Sequence, residues 1–389
     1  MEKILVIYGP TAAGKTDLAI SLAKKYKGEL ISADSRQVYK GLDLCTGKVS
    51  LESKVEKYRG YWIVNGVKIH GFDLVKPGIQ FTVADFLKNA NSSIVQTIKL
   101  KKLPIIVGGT GFYIKTLIDG IDSIGIPPNP KLRCQLEELS PSDLYQKLEK
   151  IDPNRAKSMN KSDRANPRRL IRAIEIAIYN RLQKTIPLSG TDECEKAITY
   201  FRGMKNKNDE GFLRSSKLKD NTEGFQPSEV YNQKLETRNS KPKTIDYSSS
   251  LSDSSELIIE DLRAEGRLST TDYLLVGLTA PNAYLYDRAD LWLSTRIEKG
   301  MIEEVKHLLN LKIDPQWLDS LGLECRWFSR YIIGRISKEE STARLIGDYH
   351  SFIRRQKTWF HKFSNLKLFD IKDPTWQSQL EKTVKTWNG

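Results

Sequence analysis

The sequence predicts an α/β protein in which a parallel sheet is flanked by helices and interrupted by an all-helical insertion. Short continuous apolar runs, "KILVIY", "PIIVG" and "DYLLVGL", read as strands buried on both faces. Each of the first two passes through a Gly-rich turn into a helical pattern, and strands alternating with helices build parallel sheets that bind ligands at the strand carboxyl ends. After "GIPPNP" the pattern changes to helices only.

The elements follow in order. "KILVIY" ends at Gly9, and a helix follows from Gly14 to Tyr26, with Leu18 and Leu22, and Ala19 and Ala23, at helical spacing. "GELISAD" is a second short strand closing on Asp34. A helix from Thr82 to Lys102 opens with a Thr82/Asp85 pair resembling a capping box. "PIIVGGTGFYIKTLI" repeats the strand, turn and helix. "SPSDLYQKLEKI" starts a helix at Ser140, with Pro141 suited to the first helical position. "NPRRLIRAIEIAIYN" is another helix, with Arg168, Arg169 and Arg172 near its start. Basic groups there oppose the helix dipole, which points to a ligand. Residues 189–270 are rich in Ser, Lys, Asn and charge, too poor in apolar area to offset their ordering entropy, and are expected to be largely disordered. "DYLLVGLTA" then rejoins the first sheet, and helices follow, the last opened by Ser337/Glu340 and running to about Phe360. The expected domains are a first core part at 1–121, a helical insertion at 122–188, the low-complexity stretch at 189–270 and the rest of the core with basic helices at 271–389.

Composition narrows the function. The 389 residues suffice for two or more domains, and a net charge of +14 points to a polyanionic partner. Four cysteines, at 45, 134, 194 and 325, form no CxxC pair, so neither a disulfide framework nor a zinc knuckle is supported. No apolar run reaches the length of a membrane span, and a strand starting within a few residues leaves no room for a targeting peptide. A soluble protein of the cytoplasm is expected.

Gly9, Pro10, Thr11, Ala12, Ala13, Gly14, Lys15, Thr16 make a full G-x-x-x-x-G-K-[ST] match between strand and helix. Its glycines let backbone N–H groups and a helix amino terminus converge on a phosphate. Lys15 adds charge, and the Thr16 hydroxyl is placed to ligate Mg²⁺. The core is therefore expected to be P-loop NTPase-like. An ATPase or kinase of this type also carries an acid closing a second strand, yet "IIVGGTG" ends in glycines and Thr110. The nearby strand-terminal acid is Asp34. Asp34 and Thr110 thus become the expected neighbours of the phosphates.

"GPTAAGKT", "ELISADSRQVYKGLD", "IIVGGTGFYI", "NPRRLIRAIEI" and "RRQKTWF" occur in the order seen in tRNA dimethylallyltransferases, and the chain resembles that family over most of its length outside about 190–270. The resemblance implies transfer of a dimethylallyl group from dimethylallyl diphosphate to N6 of the adenosine 3'-adjacent to the anticodon of tRNA. It also implies diphosphate in the loop, assistance by Mg²⁺, and a helical insertion that clasps the anticodon stem-loop. By residue, it implies Asp34 as the base and Thr110 as a second catalytic group, Thr110 and Arg288 on the diphosphate, and Asp34, Ser35, Arg36, Gln37 and Thr110 at the tRNA base. The RNA contacts it implies are Arg133, Arg168, Arg169, Arg172, Arg326, Arg354 and Arg355. Trp359 and Phe360, beside these last two, are expected in the core. A monomer is expected.

Two positions depart from the family pattern: Trp292 stands where a second Arg usually follows Arg288, and Glu324-Cys325-Arg326 replaces a Gly-Tyr pair before a basic residue. Other readings remain open: prenyl transfer to free AMP or ADP, a nucleotide-driven kinase, or a non-catalytic RNA-binding protein.

Overall fold

A computed structural model describes residues 3–120, 123, 126, 128–185 and 272–389, with side chains at 182–185 excepted. The low-complexity stretch at 189–270, and Cys194 within it, lie outside the described residues. The chain divides into two compact units, Met1–Ile121 with Tyr247–Gly389, and Asp122–Asp246.

The first unit is built on one sheet of β1 (Lys3–Tyr8), β2 (Gly28–Ser32), β3 (Val55–Tyr58), β4 (Gly60–Val64), β5 (Val67–Phe72), β6 (Leu103–Gly108), β7 (Asp272–Thr279) and β8 (Lys367–Asp370). Their order is β3-β4-β5-β2-β6-β1-β7-β8. From β5 to β8 every pairing is parallel, and β7 rejoins the sheet as expected, taking its place beside β1. The expected parallel core is present, and the β3-β4-β5 edge adds antiparallel pairings, so the sheet is mixed. The cause is a two-residue turn at Asn65-Gly66, both with left-handed φ (50° and 82°), the conformation that closes a tight hairpin.

Alternation along β1 divides the core. Leu5 and Ile7 pack with the face covered by α1 (Lys15–Lys25) and α14 (Trp376–Asn388), whereas Ile4, Val6 and Tyr8 pack with α2 (Val83–Lys99) and α3 (Gly111–Asp119). The capping box at Thr82/Asp85 is formed. A third cluster is made by α9 (Asn282–Glu298), α10 (Met301–Asn310), α11 (Pro315–Leu321), α12 (Leu323–Ile332) and α13 (Lys338–Lys357), with Leu42 and Cys45 inserted among them. Helix α13 stops at Lys357, and Phe360–Lys362 form one 3₁₀ turn. No helix among the described residues is long and apolar enough to cross a membrane.

The second unit holds α4 (Pro130–Glu137), α5 (Pro141–Ile151), α6 (Pro153–Ser158), α7 (Lys161–Arg164) and α8 (Pro167–Thr185) around Leu144, Leu148, Leu170 and Ile174. Four of these helices start on proline, and Asn129, Ser140 and Asp152 cap three of them through side-chain oxygens. Proline lacks the N–H that the first turn leaves unused, so each Asx/Ser-Pro step restarts a helix.

Candidate functional site: a phosphate cradle at three adjacent strand ends

Strands β1, β6 and β2 are neighbours, so their carboxyl ends bring Gly9, Gly109-Thr110 and Asp34 together at one edge of the sheet. Close approach of these turns requires glycine. A Cβ on Gly108 would lie 2.2 Å from the Ala33 carbonyl oxygen, and one on Gly9 would lie 2.7 Å from that of Leu278. The loop from Gly9 to Thr16 turns through left-handed φ at Ala12 (65°) and Gly14 (78°). Helix α1 then begins without a side-chain cap, leaving its first N–H groups for an anion. Lys15 Nζ donates to the Pro10 carbonyl at 2.6 Å, and Arg288 Nε donates to the Ala12 carbonyl at 2.8 Å, so both cations sit over the loop. Burial pushes the Lys15 amine down to about 8, partly offset by the negative charge of Asp34.

A cavity of about 500 Å³ opens in front of the loop, and Thr11, Lys15, Thr16, Asp34, Thr110 and Arg288 all line it. Asp34 Oδ1 accepts from the Arg36 N–H at 2.9 Å, and Thr110 Oγ1 accepts from the Ser35 N–H at 3.1 Å. Neither Asp34 Oδ2 nor the Thr16 hydroxyl makes a hydrogen bond among the described residues. Arg36 and Gln37 also line the cavity, but their side chains are engaged. The Arg36 guanidinium pairs with Glu324, which also accepts from the Tyr349 hydroxyl. Burial pushes Glu324 up, and Arg36 opposes that shift. The Gln37 amide accepts from Ser32 Oγ at 2.7 Å and faces the Thr46 and Gly47 carbonyls at 3.4 and 3.3 Å.

Several residues that hold the site were not singled out by sequence reasoning. Gln356, 4% exposed, accepts from the Thr11 N–H at 2.8 Å and donates to the Gly109 carbonyl at 2.9 Å, tying the phosphate loop to the turn that carries Thr110. It lies inside the quoted "RRQKTWF", but nothing in the spacing says which strand ends it joins. Glu304 accepts from the N–H groups of Asp43, Leu44 and Cys45, and buried Lys48 pairs with Asp43 and Asp73, so the loop forming the far wall is rigid.

The model of the IPP transferase family matches residues 37–363. The chain belongs to the IPP transferase family. A tRNA dimethylallyltransferase of Alkaliphilus oremlandii is 31% identical over 96% of this chain and 92% of its own length, and one of Carboxydothermus hydrogenoformans is 31% identical over 98% and 96%. Among solved structures, the tRNA isopentenylpyrophosphate transferase of Bacillus halodurans aligns with a TM-score of 0.57 at 25% identity, covering all of this chain and 97% of that one. A eukaryotic dimethylallyltransferase acting on tRNA aligns at 0.64 with 20% identity, over 99% of this chain and 79% of that one, a likeness of fold.

Within this family member, the arginines expected at RNA differ in freedom. Arg133 makes a two-pronged pair with buried Glu175 at 2.7 and 2.8 Å, and Arg172 donates to the same carboxylate at 3.1 Å and to the Ser123 and Ile126 carbonyls. Arg169 pairs with Asp163. Arg168 has no partner among the described residues and borders an open groove with Glu137, Ser162 and Asn166. In the first unit, Arg326 pairs with Asp319 and Asp348, Arg354 donates to the Tyr286 hydroxyl at 2.8 Å, and Arg355 lies over the Phe352 ring. Phe360 is buried against Tyr8, and Trp359 packs on Gly111, where a Cβ would lie 2.5 Å away, so both serve packing.

Proposed function

We propose that this chain transfers the dimethylallyl group of dimethylallyl diphosphate to N6 of the adenosine 3'-adjacent to the anticodon of tRNA. The observation that carries the reading is a single cavity joining the phosphate loop to Asp34 and Thr110 at adjacent strand ends. The curated relatives bear the name of this activity over nearly the full chain. In the reaction the bond between N6 and C1 of the allyl group forms while the C1–O bond breaks, and diphosphate leaves with the bonding electron pair. Lys15, Arg288, Thr110 and the loop N–H groups stabilise the charge that grows on the leaving oxygens. The free Oδ2 of Asp34 takes the N6 proton as the amine becomes bonded to carbon. An adenine can enter only after leaving its stack, a cost of a few kcal/mol offset by contacts in the cavity.

Mg²⁺ belongs to the same proposal. No group of three or more acidic, His or Cys side chains placed to hold a metal ion exists among the described residues, but Mg²⁺ favours few protein ligands, several waters and phosphate oxygens. The unpartnered Thr16 hydroxyl, with Asp34 nearby, fits that donor set. Bound there, Mg²⁺ would neutralise charge on the leaving diphosphate. A monomer of the cytoplasm completes the proposal, checked by sedimentation and cell fractionation. The deciding experiment incubates the protein with Mg²⁺, dimethylallyl diphosphate and unmodified tRNA, then digests the RNA and weighs the nucleosides. N6-dimethylallyladenosine is the expected product. Its absence with folded protein, or its formation only on free AMP, overturns the reading.

A further inference from the structure

The cavity-facing side of α9 carries Arg288, Trp292 and Arg296, spaced four residues apart and therefore stacked on one helical face. Arg288 fixes the phosphate end of this stripe through its hydrogen bond to the loop carbonyl of Ala12. Trp292 sits one turn further, about 6 Å along the helix. A diphosphate held between the loop and Arg288 would have this next turn of the cavity wall in front of its carbon tail. Val49 and Leu51 supply apolar lining on the loop that Trp292 abuts, beside Thr46, Ser50 and Glu52.

The indole is held from three sides. Gly47 has a left-handed φ of 57°, and a Cβ there would lie 2.5 Å from the indole, so glycine is what lets the loop close on the ring. Tyr349 meets the ring edge-on at 5.6 Å, and the Arg296 guanidinium lies 4.6 Å from its centre. Arg296 is itself buried and anchored, donating to the Val49 carbonyl at 2.6 Å and facing that of Leu44. An indole packed against Gly47, Tyr349 and Arg296 has little room to turn away from the cavity. An Arg side chain in its place is slender and flexible by comparison.

We infer that Trp292 is a specificity-determining residue that limits the prenyl donor to one isoprene unit. This rests on the prenyl-transfer reading above and adds the length of the donor. For either donor the same bond forms between C1 and N6 and the same C1–O bond breaks. Only the tail beyond C1 differs, and the indole occupies the space a second isoprene unit needs. Discrimination by fit in an apolar pocket is worth roughly 10–200-fold for a single methylene, so a whole extra unit against a rigid wall is strongly excluded.

The test measures kcat/KM for dimethylallyl and geranyl diphosphate, with Mg²⁺ and unmodified tRNA, in the native chain and in Trp292→Ala and Trp292→Phe. The geranyl-to-dimethylallyl ratio is expected to rise at least about tenfold in Trp292→Ala, with Trp292→Phe between. Because the readout is a ratio within one preparation, partial loss of folded protein cancels. Inhibition constants of the two unreactive thiolodiphosphates provide the same ratio without the acceptor and should shift in the same direction. A ratio unchanged in both variants overturns the inference, as does a raised KM for tRNA with donor preference intact, which assigns Trp292 to the acceptor. If the native chain makes no prenylated nucleoside from dimethylallyl diphosphate, the prenyl-transfer reading itself fails. An unchanged ratio with an active native chain removes only the role of Trp292.

Discussion

Lys15 shows how one side chain sets a pH limit. Burial lowers its amine from 10.5 to about 8, so free enzyme loses this charge as pH rises through 8. Diphosphate binding favours the charged form and draws a proton in. Between pH 8 and 10.5 the unfolded chain binds the extra proton, so ligand-free stability gains from this group as pH rises through that window. The kcat/KM for dimethylallyl diphosphate should fall above pH 8, approaching tenfold per unit, with nearly one proton taken up per binding event at pH 9 when calorimetry is repeated in buffers of different ionisation enthalpy. Asp34→Asn should lower kcat by about 10²–10⁴-fold while leaving the KM for tRNA within a few-fold, because it removes a base and keeps the shape. Equal losses in both would assign Asp34 to binding instead. Gln356→Leu orphans the Thr11 N–H and the Gly109 carbonyl, each at a cost of about 1–3 kcal/mol. Its melting temperature should drop, and its KM for the diphosphate should rise more than that for tRNA. Gln356 was hidden in a quoted motif because hydrogen-bond partners 345 and 247 positions away leave no trace in local spacing.

At the scale of elements, α4 and α8 carry two kinds of arginine that look alike in sequence. Arg133 and Arg172 neutralise buried Glu175, so Arg133→Ala should cost folding stability, about 1–3 kcal/mol before solvent screening of the half-exposed guanidinium. Arg168→Ala should leave thermal melting within error and weaken anticodon stem-loop binding, lowering the salt slope by about one. Thermal melts and binding titrations at several salt concentrations check both. The strands and helices carrying the phosphate loop were legible because strongly periodic segments and Gly-Lys-Thr punctuation are local signals. The antiparallel edge also carries a local signal, Asn65-Gly66, which the strand expectations, resting on the long apolar runs, passed over. The proline-started helices of the second unit are an equally local signal, noticed at Pro141 but repeated at 130, 153 and 167.

For the whole molecule, a charge of +14 on 389 residues bears on how strongly salt governs association with RNA and says nothing about which arginines are free. Ligand binding couples the cavity to global stability. Dimethylallyl diphosphate at a hundredfold its Kd should stabilise the first unit by about 2.7 kcal/mol, and removing Mg²⁺ with EDTA should shrink that shift and abolish turnover. A melting temperature that rises equally with and without EDTA would reject the Mg²⁺ proposal.

The sequence by itself determined the mostly parallel core, the phosphate-loop pattern, the places of Asp34 and of Thr110 just past their strands, and the family resemblance, because each motif is written in a stretch of a few neighbouring residues. Only the tertiary structure decided which groups are spoken for. Arg36 belongs to Glu324, Arg133 to Glu175, and Trp292 to a cleft that Gly47 leaves open. Such partnerships join positions far apart in the chain, and burial, which decides whether a charge needs a partner, exists only once the chain has packed.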